Sequence, residues 1–145
     1  MLLDKLPNRD EVEKLLGIDA FAENAGMEVL LAEPGRADVR LPISPRVLNG
    51  HGNLHGGAMF TLADYAGAVA SNMYGDATMA VNCTISFLNA VRGGYVTAKA
   101  RTVKKGSRMN FLTVEIFDSE DRLVALFQGS AMQVRRKNPD NAATS

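Results

Sequence analysis

The hydrophobic pattern of the chain is dominated by residues 55–75, where Asp64 is the one charged residue. The remaining positions are apolar or small on every helical face, so a helix formed here has no side suited to water. The stretch predicts a central helix about 30 Å long that other structure must wrap. Because an unpaired buried charge costs several kcal/mol or shifts its pKa, Asp64 is the first candidate for a functional residue.

Alternating apolar and polar residues predict strands on both sides of this helix. Residues 27–33 and 36–42, with Pro34 and Gly35 between them, predict a hairpin. Residues 80–88, 95–103, 108–117 and 123–134 predict four further strands joined by short polar or glycine-containing links. Short links between long strands favour an antiparallel meander.

Before the first hairpin, residues 10–16 predict a short amphipathic helix, and residues 19–25 predict one or two further helical turns. The 145 residues fit a single domain, 1–145, with residues 1–19 as a helical lead-in and residues 136–145 as a frayed tail. The predicted fold class is α+β, a long central helix wrapped by an antiparallel meander sheet. Since one sheet covers only part of a helix that is apolar all round, we expect a partner subunit.

Composition narrows the partners and the compartment. Sixteen basic and sixteen acidic residues cancel, which argues against nucleic-acid binding and favours a small-molecule ligand. One cysteine excludes an internal disulfide framework, and the charged first residues do not form a secretory signal, so we expect a cytoplasmic protein. A membrane span is disfavoured because Asp64 lies near the midpoint of the apolar stretch and Lys/Arg flanks are missing.

Two features in and before the helix point to acyl-transfer chemistry. Asp64 is interpreted as a general base or nucleophile with a pKa raised by desolvation; a purely structural Asp is the alternative. His55, Gly56 and Gly57 lie where the first amides of the helix have no internal partner, which suits them to an oxyanion hole. Alternatively, the glycines permit close packing and His55 caps the helix.

Other candidates are weaker. His51 and His55 are four residues apart but separated by loop residues, so we predict no metal site. Cys83 is predicted to point inward and is a poor candidate nucleophile. The basic residues around the Gly106–Ser107 turn are suited either to phosphate binding or to a solvated turn that discourages edge pairing.

The run Asn-Gly-His-Gly-Asn-Leu-His-Gly-Gly at residues 49–57, followed by Leu62, Ala63 and Asp64, resembles the hotdog-fold acyl-CoA thioesterases of the PaaI-like, phenylacetate-pathway branch. The resemblance covers about residues 20–134. It implies a hotdog fold, two subunits that join their sheets edge to edge, and dimers that pair into a homotetramer.

The resemblance also implies roles for particular residues. Asp64 corresponds to the catalytic carboxylate, acting as a nucleophile or as a base for water. Gly56 would supply the amide that binds the thioester oxygen, His55 would assist, and Asn49 would orient the substrate or the attacking water. Asp64 would face the loop of the neighbouring subunit, so catalysis would require the dimer.

For the nucleotide end of coenzyme A the resemblance implies a rim at two turns. With the helix glycine, the substrate-binding candidates are Gly57, Arg92, Gly93, Lys104, Lys105, Gly106, Ser107 and Arg108. Some relatives use a Ser or Thr of the strand after the helix, for which Asn82, Thr84 and Ser86 are candidates here. No cofactor is implied, since coenzyme A is part of the substrate.

We therefore predict an acyl-CoA thioesterase for small aromatic or short- to medium-chain acyl groups. A non-catalytic acyl-CoA binding or sensing module on the same fold is the main alternative. A hotdog hydratase or dehydratase fits less well, because the ring of His55 is needed at the carbonyl. A purely structural oligomer is the remaining alternative.

Overall fold

The computed structural model describes residues 1–135, and the predicted helices and strands all form within them. The helices are α1 (Arg9–Leu16), α2 (Ala20–Ala25) and α3 (Gly56–Asn72), with a short 3₁₀ helix at Pro45–Val47. The strands are β1 (Glu28–Glu33), β2 (Arg36–Pro42), β3 (Thr78–Phe87), β4 (Tyr95–Lys105), β5 (Met109–Asp118) and β6 (Leu123–Gln133). The predicted tail, residues 136–145, lies outside the described residues.

The predicted antiparallel sheet around a central helix is confirmed, but its strand order is not a plain meander. The order is β1-β2-β4-β5-β6-β3, so β3 pairs with β6 and β4 pairs with β2. The link between β3 and β4 is longer than a hairpin turn, and the amides of Leu88 and Asn89 are bound to the Val124 carbonyl of β6. This link carries the chain across the sheet, and β3 becomes an edge strand.

The lead-in contributes more to the core than its sequence indicated. Leu2 and Leu3 are buried, and the Leu2 carbonyl accepts the amide of Val29 in β1. The Asp19 side chain caps α2 by accepting the Ala22 amide at 2.9 Å. The segment before β1 is therefore anchored at both ends of α2.

Helix α3 lies on the concave face of the sheet and contacts all six strands. It approaches β5 so closely that a Cβ on Gly67 would lie 2.9 Å from Leu112 Cδ1, which is why a glycine occupies this position. Most of its side chains are buried, but the stripe formed by Gly57, Thr61, Asp64 and Ala68 is not fully covered. Within residues 1–135, no helix is long and apolar enough to cross a membrane.

Candidate active site

Asp64 occupies the uncovered stripe of α3 and lines a cavity of about 230 Å³, which we call the Asp64 cavity. Its walls are small or apolar and include Gly67, Ala68, Cys83 and Phe127. Within residues 1–135, no hydrogen bond or ion pair reaches the carboxylate. Burial raises the pKa of Asp64 above its ordinary value, and the negative charge of Asp19 raises it further.

The thiol of Cys83 lies in the same cavity. It faces the helix, as predicted, and burial together with the charge of Asp64 raises its pKa. A raised pKa lowers the thiolate fraction at neutral pH, so the thiol is a weak nucleophile. Asp64 is the reactive group of this cavity.

The start of α3 is organised by His55. Its Nδ1 accepts the amide of Gly57 at 2.8 Å, which caps the helix. A neutral imidazole that accepts at Nδ1 carries its proton on Nε2, so the ring also presents an N–H donor. In the described part of the chain, the amide of Gly56 donates to no acceptor. One backbone amide and one ring N–H are thus available at this helix end.

Both glycines at this end are also sterically constrained. A Cβ on Gly56 would lie 3.2 Å from the ring of Phe87 in β3, and a Cβ on Gly57 would lie 2.9 Å from His55 Nδ1. The packing role considered from the sequence and the free amide of Gly56 therefore coexist. The glycines let the ring of Phe87 and the capping histidine lie directly against the helix start.

Asn49 holds the loop that precedes α3. Its Oδ1 accepts the amides of His51 at 3.0 Å and Asn53 at 3.1 Å, an arrangement typical of Asx turns. The oxygen is therefore committed to the loop, and its Nδ2 is the group with no partner in residues 1–135. Asn49 and Gly56 line a shallow cavity of about 300 Å³.

A larger cavity of about 620 Å³ opens on the other side of the helix start, and we call it the α2 cavity. It lies between α2, the 3₁₀ helix and the first turns of α3. His55, Gly57 and Thr61 belong to its wall, whereas Asn49 and Gly56 do not. The residues at the helix start thus face two different spaces.

The carboxylate and the helix start are separated within one chain. Asp64 follows Gly56 by more than two helical turns, about 12 Å along the axis. The Asp64 cavity shares no residue with the cavities at the helix start. A single thioester carbonyl cannot contact both groups of the same chain at once, because a nucleophile must approach to about 3 Å.

Comparison with known proteins identifies the family. A sequence model described as the thioesterase superfamily matches residues 51–125. The chain belongs to the thioesterase superfamily. Acyl-coenzyme A thioesterase PaaI of Escherichia coli K12 is 36% identical over 117 residues, which cover 80% of this chain and 84% of that protein.

Solved structures of relatives have the same fold. The E. coli PaaI protein from the phenylacetic acid degradation operon superposes with a TM-score of 0.83 at 33% identity, covering 87% of this chain and 92% of that chain. The TT0310 protein of Thermus thermophilus gives 0.77 at 36% identity, covering 81% and 99%. The predicted hotdog fold and the resemblance to the PaaI-like branch are confirmed for this thioesterase-superfamily protein.

The three strand residues considered for an assisting role lie away from Asp64. Along β3 of this superfamily member, Cys83 faces the helix, so Asn82, Thr84 and Ser86 point to the opposite face of the sheet. Thr84 and Ser86 lie in a depression on that face with Thr113 and Gln128. None of the three assists Asp64 within the same chain, because the sheet itself stands between them.

The predicted coenzyme A rim is divided between the two ends of β4. Arg92 and Gly93 precede the strand near the start of α3, whereas residues 104–108 follow it, about 30 Å away for a strand of this length. Lys105 lies 4.0 Å from Asp76 and over the ring of Tyr74, while Lys104 and Arg108 have no side-chain partner in residues 1–135. The two groups cannot bind one phosphate from a single chain.

The hairpin turn after β4 also has a structural requirement. A Cβ on Gly106 would come 2.6 Å from the carbonyl oxygen of Met109, so the turn needs a glycine here. Ser107 beside it is exposed. Whether either residue contacts coenzyme A stays a prediction.

Sequence reasoning missed two polar residues of the Asp64 cavity. Thr78, at the start of β3, is held by Asn72, which accepts its amide and donates to its hydroxyl. Ser130 of β6 completes the wall. Their part in the cavity depends on the pairing of β3 with β6, which local alternation does not reveal. No cluster of three or more His, Cys, Asp or Glu suited to a metal occurs in the described ranges.

Proposed function

We propose that this protein hydrolyses acyl-CoA thioesters to a free acid and coenzyme A, with Asp64 as the reacting carboxylate. Its relative in E. coli carries the name acyl-coenzyme A thioesterase, over most of both chains. The single observation that carries the assignment is the half-buried carboxylate of Asp64, unpaired within residues 1–135 at the wall of a largely apolar cavity.

The environment of Asp64 suits either of two routes. As a base, the carboxylate removes a proton from water while the water oxygen attacks the thioester carbonyl and the thiolate of coenzyme A leaves. As a nucleophile, the carboxylate attacks the carbonyl itself, and water then hydrolyses the resulting anhydride. Because burial raises the pKa of Asp64, the carboxylate is a stronger base than an exposed Asp.

The start of α3 supplies the donors that the carbonyl oxygen needs. As that oxygen gains negative charge, the free amide of Gly56 and the Nε2–H of His55 are suited to bind it, aided by the positive end of the helix dipole. The Nδ2 of Asn49, on the same side as Gly56, is suited to orient the substrate or the water.

Because Asp64 and these donors are about 12 Å apart in one chain, we assign the complete site to two subunits. Asp64 of one copy would face the helix start of a second copy. The free edge strand β3 supports this arrangement, since it exposes Met79, Val81 and Phe87 beside unpaired backbone groups. Pairing of two β3 edges would form the homodimer, and pairing of dimers a homotetramer.

The same arrangement accounts for the divided basic residues. In a dimer, residues 104–108 of one copy and Arg92 with Gly93 of the other lie near the same composite site if the two sheets run antiparallel across β3. Lys104, Arg108 and Arg92 would then meet the phosphates of coenzyme A. Their charge is free to do so, because no ion pair in residues 1–135 occupies them.

The test is release of free thiol from a panel of acyl-CoAs that includes acetyl, hexanoyl, decanoyl, phenylacetyl and hydroxybenzoyl groups. The unaltered protein is compared with Asp64→Asn, which keeps the shape of the side chain but not its charge. We expect kcat to fall at least about 100-fold in this variant. Asp10→Asn, an exposed carboxylate on α1, is the matched control and should keep full activity.

Each outcome decides between the candidate functions. Turnover that is lost in Asp64→Asn and kept in Asp10→Asn supports the proposal. Saturable binding of acyl-CoA with no thiol release from any substrate would favour a binding or sensing module. Turnover that survives in Asp64→Asn would show that another group carries the reaction.

A further inference from the structure

We propose that the hydrocarbon part of the acyl group binds in the α2 cavity and that Phe21 is a residue that sets the preferred acyl length. This inference rests on the proposed function and deepens it, because it states where the acyl group goes once the carbonyl is held at the start of α3. The α2 cavity is separate from the Asp64 cavity, and the two have no lining residue in common.

The size and lining of the α2 cavity fit a hydrocarbon. Its volume of about 620 Å³ compares with about 230 Å³ beside Asp64, and it falls in the range typical of ligand pockets. Six of its wall residues are apolar: Phe21, Ala25, Met27, Val47, Leu48 and Ala58. An apolar chain that enters this space removes its own surface and that of the wall from water.

The polar groups of the α2 cavity are those expected next to a thioester. The ring of His55, which presents Nε2–H, lies in the wall with Gly57, and Thr61 follows one turn later on α3. Asp64 is the next residue of the same uncovered stripe. A carbonyl bound at the helix start therefore has the α2 cavity directly beside it, and an acyl chain attached to that carbonyl can enter it.

Helix α2 holds Phe21 in a defined place although it has only six residues. The Asp19 cap fixes its first turn, Ala22 is fully buried, and the amide of Met27 binds the Ala22 carbonyl after the helix ends. Met27 itself is 1% exposed, so the end of the segment is anchored in the core. The backbone that carries Phe21 is thus constrained from both sides.

Phe21 itself is not needed by the core. Its side chain is 69% exposed although it lies against a mostly apolar cavity. An aromatic ring in that position gains by being covered, and in the described structure no side chain covers it fully. Its truncation removes wall area from the cavity while leaving the packed core unchanged, which makes it a clean probe of ligand contact.

The experiment measures kcat/KM for acetyl-, hexanoyl- and decanoyl-CoA with Phe21→Ala, Phe21→Leu and the unaltered protein. We expect Phe21→Ala to lower kcat/KM for decanoyl-CoA about 10-fold and to leave acetyl-CoA within about twofold, because only the longer chain reaches the ring. Phe21→Leu, which keeps an apolar wall, should stay within about threefold for all substrates. Ile18→Ala is the matched control, since Ile18 is also an exposed apolar residue of this segment but lies outside the cavity wall.

A second readout does not depend on turnover. In the Asp64→Asn background, we expect the affinity for acyl-CoA to rise with chain length, and Phe21→Ala to reduce this rise. Hydrolysis by the unaltered protein with the same chain-length dependence in Phe21→Ala would overturn the inference and leave the proposed function standing. If no acyl-CoA is hydrolysed, the proposed function fails, and the chain-length dependence of binding still decides: a dependence reduced by Phe21→Ala supports the α2 cavity, and its absence overturns it.

Discussion

The hydrogen bond between His55 Nδ1 and the Gly57 amide allows the two roles of this histidine to be separated by substitution. His55→Ala removes both the cap and the ring N–H. His55→Asn removes the ring N–H but keeps a side-chain acceptor, and Asn is among the preferred residues at a helix N-cap. The pair therefore distinguishes a histidine that only caps α3 from one that also binds the carbonyl oxygen.

The expected effect on stability follows from the 2.8 Å bond. Loss of an N-cap side chain costs about 1 kcal/mol, so His55→Ala should lower Tm by about 3 °C for a chain of this size. His55→Asn should lie within about 1 °C of the unaltered protein. Thermal unfolding followed by circular dichroism measures both, at the same protein concentration and pH.

The expected effect on activity runs differently. Both variants lose the Nε2–H donor, and removal of one such donor typically costs about 10²–10³ in kcat, or roughly 3–4 kcal/mol of transition-state stabilisation. We therefore expect His55→Asn to be folded and stable but slow. A variant His55→Asn with full activity would refute the reasoning and leave His55 as a cap alone, and an unchanged Tm in His55→Ala would refute the cap.

Two further predictions concern the assembly of the site and its charge. If the site combines Asp64 of one subunit with His55 of another, co-refolding equal amounts of Asp64→Asn and His55→Asn should restore about a quarter of the activity, because half of the dimers form and each has one intact site; no recovery in a mixture shown to exchange subunits would place the site within one chain. Because the folded-state pKa of Asp64 is raised, its ionisation opposes folding: stability is greatest below the ordinary value of 3.8 and falls as pH rises through the folded pKa. Asp64→Asn should therefore gain Tm relative to the unaltered protein more at pH 7 than at pH 4, and a gain that is constant or larger at pH 4 would contradict this.

Local pattern predicted the elements of the fold but not the position of β3. Alternation identified the strand and correctly turned Cys83 toward the helix. Pairing of β3 with β6 depends on the crossover after residue 87, whose course is fixed by contacts with Val124 that are distant in sequence. The same distance explains why Thr78 and Ser130 were missed: each is an ordinary strand residue until β3 and β6 lie side by side.

The candidate site divides in a similar way. Asp64 was identifiable because it is the single charge in a long apolar stretch, and His55 with its glycines because helix starts leave amides unpaired. The sequence could not separate capping from carbonyl binding for His55, since that depends on which ring nitrogen meets the Gly57 amide. It also did not indicate the α2 cavity, which forms between three segments that have no common pattern.

The sequence by itself determined the secondary structure, the central helix that needs covering on every side, and the carboxylate that this helix places out of bulk water. These follow from periodicity and from the cost of burying charge, which are properties of neighbouring residues along the chain. The tertiary structure decided the strand order, the face on which each polar side chain lies, and the separation of Asp64 from the helix start, which is about 12 Å. Those depend on contacts between distant residues, whose geometry is set only when the sheet closes around α3.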